Sequence, residues 1–351
     1  MRIISPSDDD APDALAAYSL RLPFPSGLPR ARVLASIHSF SAMTRVGRIG
    51  LAVRMLLMLC SLLLCGLAQA ASVLVLLSEP GGAYGEFAEA LKNERSARGG
   101  FSLAVATRND FNAASLTAHD AVIAVGAGAL RTVVQADVPT PVLSVLVPQS
   151  AFESMLAAGN TRRWSAIHID QPFIRQVDLI RIALPEARRI GVLFDAADPE
   201  RLQPLKNAVA GTSMQISSGS FTGESSLFAA LSQVLDNADV FLALPDPQVH
   251  NAGTIRNLLL TSFRARVPVV GFSAAYARAG AVMSLYSTPE QIARQTADAI
   301  AFWMRERTWP TPRHPRHFTV SVNAHVARSL GLRIEDGDAL RDKLVRQERL
   351  P

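Results

Sequence analysis

Cysteine is nearly absent. The chain of 351 residues has two, Cys60 and Cys65, both in one apolar stretch near the N-terminus. Once that stretch is removed, no disulfide, thiolate metal site or cysteine nucleophile remains. Catalytic motifs are missing too. There is no G-x-S-x-G elbow, no H-E-x-x-H, no C-x-x-C and no P-loop. His119, His168, His250, His314, His317 and His325 are scattered without ligand spacing, and each reads as a surface residue. No enzymatic activity, no metal and no cofactor is therefore expected. Only a hydrolase site built from carboxylates distant in sequence stays open.

A basic stripe is also lacking. The formal net charge is +5, but seven arginines and four aspartates lie in residues 1–70, so the remainder is close to balanced. A nucleic-acid surface would show clustered Lys/Arg with interleaved aromatics. The most basic-looking spot, His314 to His317, reads as a solvated loop, and nucleic acid is not an expected partner. What the chain does have is apolar residues, 49% against 19% charged. That balance supports a sizeable core and argues against general disorder.

The N-terminal region reads as an address. Arg45, Arg48 and Arg54 precede an apolar run from Met55 to Leu67, followed by Ala68-Gln69-Ala70. A basic segment, a short apolar core and an A-x-A site together define a secretory signal. Residues 43–70 are assigned to it, with removal placing the protein in the periplasm. Residues 1–42, rich in Pro, Ser and Asp, read as an unstructured leader or a mis-assigned start, with Met43 and Met55 as alternative starts. The rival reading is an uncleaved anchor over residues 55–77, long enough to span a bilayer.

From Val73 onward, apolar runs alternate with amphipathic segments. Strands are expected at Val73–Leu77, Leu103–Ala106, Ala121–Val125, Val142–Val147 and Ala166–Ile169. The cycle then restarts with a helix from Phe173 to Leu184 and strands at Arg189–Phe194, Met214–Ser217, Val240–Leu244, Val267–Gly271 and Ala281–Tyr286. A long helix from Pro289 to Arg305, a strand at Phe318–Val322 and a helix at Ala324–Leu330 follow. Unbroken apolar strands alternating with helices imply parallel sheets covered on both faces. The expected fold is α/β, with two doubly wound parallel-sheet lobes.

In such sheets, ligands bind beyond the carboxyl ends of the strands. Ser78, Glu79 and Tyr84 follow the first strand, and Gly126 and Gly128 open the helix after the third. A helix start favours an anion such as a carboxylate. Asp195, Asp246 and Ser273 end strands of the second half, where an aspartate suits an ammonium. A zwitterion would bridge the two. Each has a plainer reading: Asp195, Asp246 and Ser273 as helix caps, and Tyr84 and Tyr286 as packing residues. Gly126-Ala127-Gly128 is a poor dinucleotide fingerprint, because Arg131 stands where the third glycine belongs and the strand is not the first.

The second half resembles a known family. The stretch Leu184 to Phe194 is similar to the opening of the second lobe in substrate-binding proteins of ABC transporters, in the tryptophan/tyrosine-type group. The likeness runs on through Ala238–Pro247, Val267–Ser273, Ala279–Ala281, the helix Gln291–Trp303 and the closing Val322–Leu332. The first half departs from it. Asn160-Thr161-Arg162-Arg163 stands where the family has Asn-x-Thr-Gly, and Gly-Ala-Gly replaces hydroxyl residues after the third strand.

The resemblance implies a type I periplasmic binding fold whose chain crosses between lobes three times. It implies lobe one at 72–167 plus 287–317, lobe two at 168–286 plus 318–335, and a peripheral helix or tail at 336–351. A monomer that closes on a small solute, an amino acid or related metabolite, and delivers it to an inner-membrane ABC permease is then expected. Ser78, Tyr84, Gly126, Asp246 and Ser273 are the expected ligand contacts. The alternative is an envelope accessory protein that keeps the fold with a degenerate pocket.

Overall fold

A computed structural model describes Met55 and residues 70–351, apart from 111, 138, 157–162, 197–198, 246–251 and 349–351. The leader, both cysteines, the signal and its cleavage site up to Gln69, Asn160 to Arg162, and Asp246 lie outside the described residues, with Met55 alone described in that segment. The chain divides into two units, 1–69 and 70–351, and all that follows concerns the second.

The first half runs β1 (Ala71–Leu77), α1 (Gly82–Arg98), β2 (Phe101–Thr107), α2 (Ala113–Thr117), β3 (Ala121–Val125), α3 (Gly126–Ala136), β4 (Val142–Val147), α4 (Gln149–Leu156) and β5 (Trp164–His168). These strands form one parallel sheet in the order β2-β1-β3-β4-β5. Every residue of β3 and β4 is buried, as expected of central strands covered on both faces.

The second half adds α5 (Phe173–Ala183), β6 (Arg189–Asp195), a 3-10 turn (Pro199–Leu202), α6 (Gln203–Val209), β7 (Gln215–Phe221), α7 (Glu224–Leu235) and β8 (Val240–Leu242). Next come α8 (Ala252–Arg264), β9 (Val269–Gly271), α9 (Ala274–Ala279) and β10 (Met283–Tyr286). The chain ends with α10 (Pro289–Glu306), β11 (Thr319–Val322), α11 (Ala324–Ser329) and α12 (Gly337–Glu348). Its sheet has the order β11-β10-β9-β8-β6-β7.

Four apolar clusters cover the two sheets. On the first sheet, α1 and α10 bury Phe87, Leu91, Ile292, Ile300 and Trp303 against one face. Leu130 and Val133 of α3 and Phe152 of α4 cover the other. On the second sheet, α5, α6 and α12 contribute Val177, Ile180, Leu205, Leu340 and Leu344 to one cluster. Leu227, Leu231, Leu258 and Tyr276 of α7, α8 and α9 form the opposite one. A buried Leu or Ile of this kind stabilises the fold by roughly 1.5–3 kcal/mol.

The chain passes between the two cores three times: from β5 to α5, from β10 to α10, and from α10 through an extended strap to β11. The strap is stitched to the first sheet, with Arg313 N–H donating to Ala166 O at 3.0 Å and His168 N–H to Arg313 O at 3.0 Å. The second passage is fixed by a capping box. Gln291 N–H donates to Thr288 Oγ1 and Thr288 N–H to Gln291 Oε1, with Pro289 in the first helical turn.

Two sequence expectations need correcting. The sheets are not parallel throughout, since β11 lies antiparallel to β10. It arrives from an extended strap, so no crossover helix obliges it to run parallel. Nor is the C-terminal segment peripheral. Leu340 and Leu344 of α12 are fully buried in the second core. Gly337 lets the helix start close: a Cβ there would lie 2.0 Å from Val320 O. Among the described residues, no helix is long and apolar enough to cross a membrane.

Candidate functional site

β4 and β5 pair in parallel and end beside each other. β4 gives way at Pro148 to α4, and β5 to the passage into α5. A cavity of about 690 Å³ lies at this point, lined from both halves. Glu153 comes from α4, Asp170 and Gln176 from the first passage and α5, Glu200 and Asn207 from the turn and helix after β6, and His314 from the strap.

The polar groups are held in place. Asp170 Oδ2 accepts the Gln149 N–H at 2.7 Å, which fixes the start of α4 to the first passage. Gln149 Nε2 donates to Glu153 Oε1 at 2.7 Å. Gln176 Nε2 donates to Gln171 O at 2.8 Å. His314 Nδ1 lies 3.0 Å from Asp170 O, and a carbonyl only accepts, so Nδ1 carries the hydrogen. Phe173 and the exposed Ile174 add an apolar edge. Glu153, Asp170 and Glu200 line the space, and among the described residues no lysine or arginine does. Carboxylates at this place in the lining suit a group with positive charge.

His168 stands behind this wall. It is 4% exposed, with Phe152 edge-on at 5.5 Å and the His314 ring at 5.8 Å. Burial, and then the neighbouring His314, hold its pKa down to about 4. Its Nδ1 has no hydrogen-bond partner among the described residues. The surface reading of this histidine fails, because β5 carries it into the interior at the sheet's end.

Of the residues expected from sequence, Ser78, Tyr84, Gly126 and Ser273 are not in the lining of this cavity, and Asp246 lies outside the described residues. Ser78, Tyr84 and Gly126 do come together. Ser78 Oγ donates to Val125 O at 2.8 Å and accepts the Ala129 N–H at 2.8 Å. Gly126 has φ +83°, and a Cβ on it would lie 2.6 Å from Ser78 Oγ and 2.7 Å from Tyr84 Cζ. Burial, then Glu79, push the Tyr84 hydroxyl pKa up. Ser78 and Tyr84 therefore fill the start of α3. Ser273, at the end of β9, caps α9 by accepting the Tyr276 N–H at 3.3 Å. Neither this cluster nor Ser273 lines the 690 Å³ cavity.

Gln149, Glu153 and His314 were missed. The available signal for α4 was the spacing of Phe152, Met155 and Leu156, which repeats at helical intervals after Pro148. His314 looked like part of a basic loop. Its place beside Asp170 is set by the strap's pairing with β5, which sequence alone does not show.

A family model described as ABC transporter substrate binding protein matches residues 89–336. No curated protein matches the sequence. Among solved structures, a conserved domain protein from Vibrio cholerae is similar at 19% identity and TM-score 0.56, over 78% of this chain and 98% of that one. An ABC domain in complex with L-Trp from Streptococcus pneumoniae is similar at 12% identity and TM-score 0.56, over 78% and 98%. A ligand-free, open substrate-binding protein with adhesive properties from Clostridium difficile is similar at 12% identity and TM-score 0.59, over 76% and 96%. These likenesses show the fold, that of type I periplasmic binding proteins.

Proposed function

Because the chain belongs to the family of ABC transporter substrate-binding proteins, we propose that it takes up a small solute bearing an ammonium or similar cationic group. An amino acid or related amine is the first class to try. In this reading the protein works as a monomer in the periplasm after signal removal, and delivers its solute to an inner-membrane ABC permease. Lobe one is taken as 72–167 plus 287–317 and lobe two as 168–286 plus 318–335, closing about the three passages.

The observation that carries the reading is the 690 Å³ cavity itself. Both halves of the chain line it, at the passages, with three carboxylates and, among the described residues, no lysine or arginine. Closure would bring Glu153 and Glu200 toward each other around a cation, strengthening their attraction as water leaves. No catalytic role is proposed for these residues.

A second reading has one observation in its favour. Ser78 and Tyr84 occupy the start of α3, so the helix end that would receive a solute carboxylate is filled by the protein's own groups. An accessory envelope protein that keeps the fold without a solute would show this feature.

Native mass spectrometry of protein released from the periplasm, followed by thermal unfolding with a panel of amines, amino acids, sugars and carboxylates, separates the two. A bound mass, and a melting temperature raised by cationic members of the panel, is the expected outcome. A Glu153→Gln, Glu200→Gln variant should lose that response. No bound mass and no response to any class would overturn the receptor reading in favour of the accessory one.

A further inference from the structure

A second pocket of about 340 Å³ lies on the first sheet, between the C-terminal half of α10 and the strap. It shares no lining residue with the cavity at the passages. Leu143, Ile167 and Phe302 give it an apolar floor, and Arg305, Arg313 and Arg316 stand around it. None of these arginines forms an ion pair among the described residues. Asp298, which also lines the pocket, is held by Arg98. Arg313 uses its Nε to donate to Thr311 O at 3.1 Å.

Gln295 closes the inner end. It is 2% exposed. Its Oε1 accepts the Arg316 N–H at 2.8 Å, and its Nε2 has no partner among the described residues. A buried donor left without an acceptor is costly and calls for a group that would satisfy it. Three unpaired guanidinium groups beside it call for negative charge. Arginine forks match oxyanions in shape, and such bonds are stronger than neutral ones.

We propose that this pocket is a site for a phosphate-type oxyanion, received by Arg305, Arg313, Arg316 and the side-chain amide of Gln295. The site lies on the strap that leads into β11, so its occupant ties that strap to α10. It rests on this pocket alone and not on the solute reading of the cavity between the sheets.

The test is a titration of the full chain with inorganic phosphate against chloride at matched ionic strength, followed by calorimetry and thermal unfolding. Phosphate should bind and raise the melting temperature where chloride does not. Arg305 and Arg316 are exposed, so the double variant R305A/R316A is expected to fold, and its phosphate affinity should fall by about tenfold or more. Gln295→Glu keeps the acceptor for Arg316 N–H but replaces the buried donor, and should weaken phosphate binding as well. Vesicles of phosphatidylglycerol in phosphatidylcholine form the second arm. Sedimentation with them, lost in R305A/R316A and unaccompanied by a response to free phosphate, would assign the oxyanion to a lipid headgroup. No response in either arm, or an equal response in R305A/R316A, would overturn the proposal.

Discussion

Glu348 accepts hydrogen bonds from both Nε and Nη2 of Arg175, although 173 residues separate them in the chain. The same guanidinium donates through Nη1 to Gln171 Oε1 at 2.7 Å and to Pro315 O at 3.0 Å, and lies 4.2 Å from the centre of the Phe318 ring. Gln171 Nε2 donates to Ser287 Oγ, which donates to His317 O. All three passages between the sheets and the C-terminal helix thus meet at one buried arginine. Arg175→Ala should lower stability by roughly 3 kcal/mol, because it strands the partners of a buried charge. Arg175→Lys keeps the charge but loses the fork, and should cost less than Arg175→Ala. Urea unfolding of the two variants checks both statements.

His168 predicts a slope of stability against pH. Its pKa is about 4 in the fold and about 6.5 in an unfolded chain. Between those values the unfolded state binds more protons, so stability rises with pH across that window and is lost as pH falls from about 6.5 to 4. The full span is at most about 3 kcal/mol. Unfolding midpoints at pH 7 and pH 4.5 should differ in the wild type, and this part of the difference should vanish in His168→Phe. An unchanged slope in the variant would place the effect on other groups.

Leu344→Ala tests the C-terminal helix. The side chain is fully buried in the second core, and truncation of such a leucine costs about 2–5 kcal/mol. A truly peripheral tail would tolerate the change, so a shift in melting temperature near zero would contradict the packing described here.

Gly126→Ala should be destabilising for two reasons. The residue sits at φ +83°, which L side chains rarely adopt, and the added methyl would meet Ser78 Oγ and Tyr84 Cζ at under 3 Å. The positive φ alone costs about 1 kcal/mol or more, and Tyr84 must move as well. A crystal structure of the variant should show Tyr84 displaced from the start of α3.

Much of the fold was legible in the sequence, and little of the site. Strands such as Ala121–Val125, apolar at every position, and Val142–Val147, apolar but for Ser144, are bounded by glycine or proline, so their burial follows from composition. The family resemblance rested on segments of the second half of this kind. The cavity is different. Glu153, Asp170, Glu200 and His314 are polar residues on a short helix, a passage, a turn and a strap, and nothing in their spacing joins them. Their meeting depends on the β4–β5 register and on the strap bonded to β5, which are long-range pairings. Ser273 matches its plainer reading as a helix cap. A hydroxyl at a strand end was legible, but its cap hydrogen bond to Tyr276 N–H takes it up locally.

The threefold passage of the chain has a consequence for its order of emergence. The five strands of the first sheet are all encoded before residue 169, yet α10, which supplies Ile292, Ile300 and Trp303 to one face, comes only at 289–306. Any process that delivers the chain N-terminus first, synthesis or threading through a translocation pore, leaves that face of the sheet covered by α1 alone while the whole second sheet up to β10 is still arriving. During that interval the first half is a sticky, half-built layer. A holding chaperone, or a pause in delivery before Pro289, would act on this interval and on no later one.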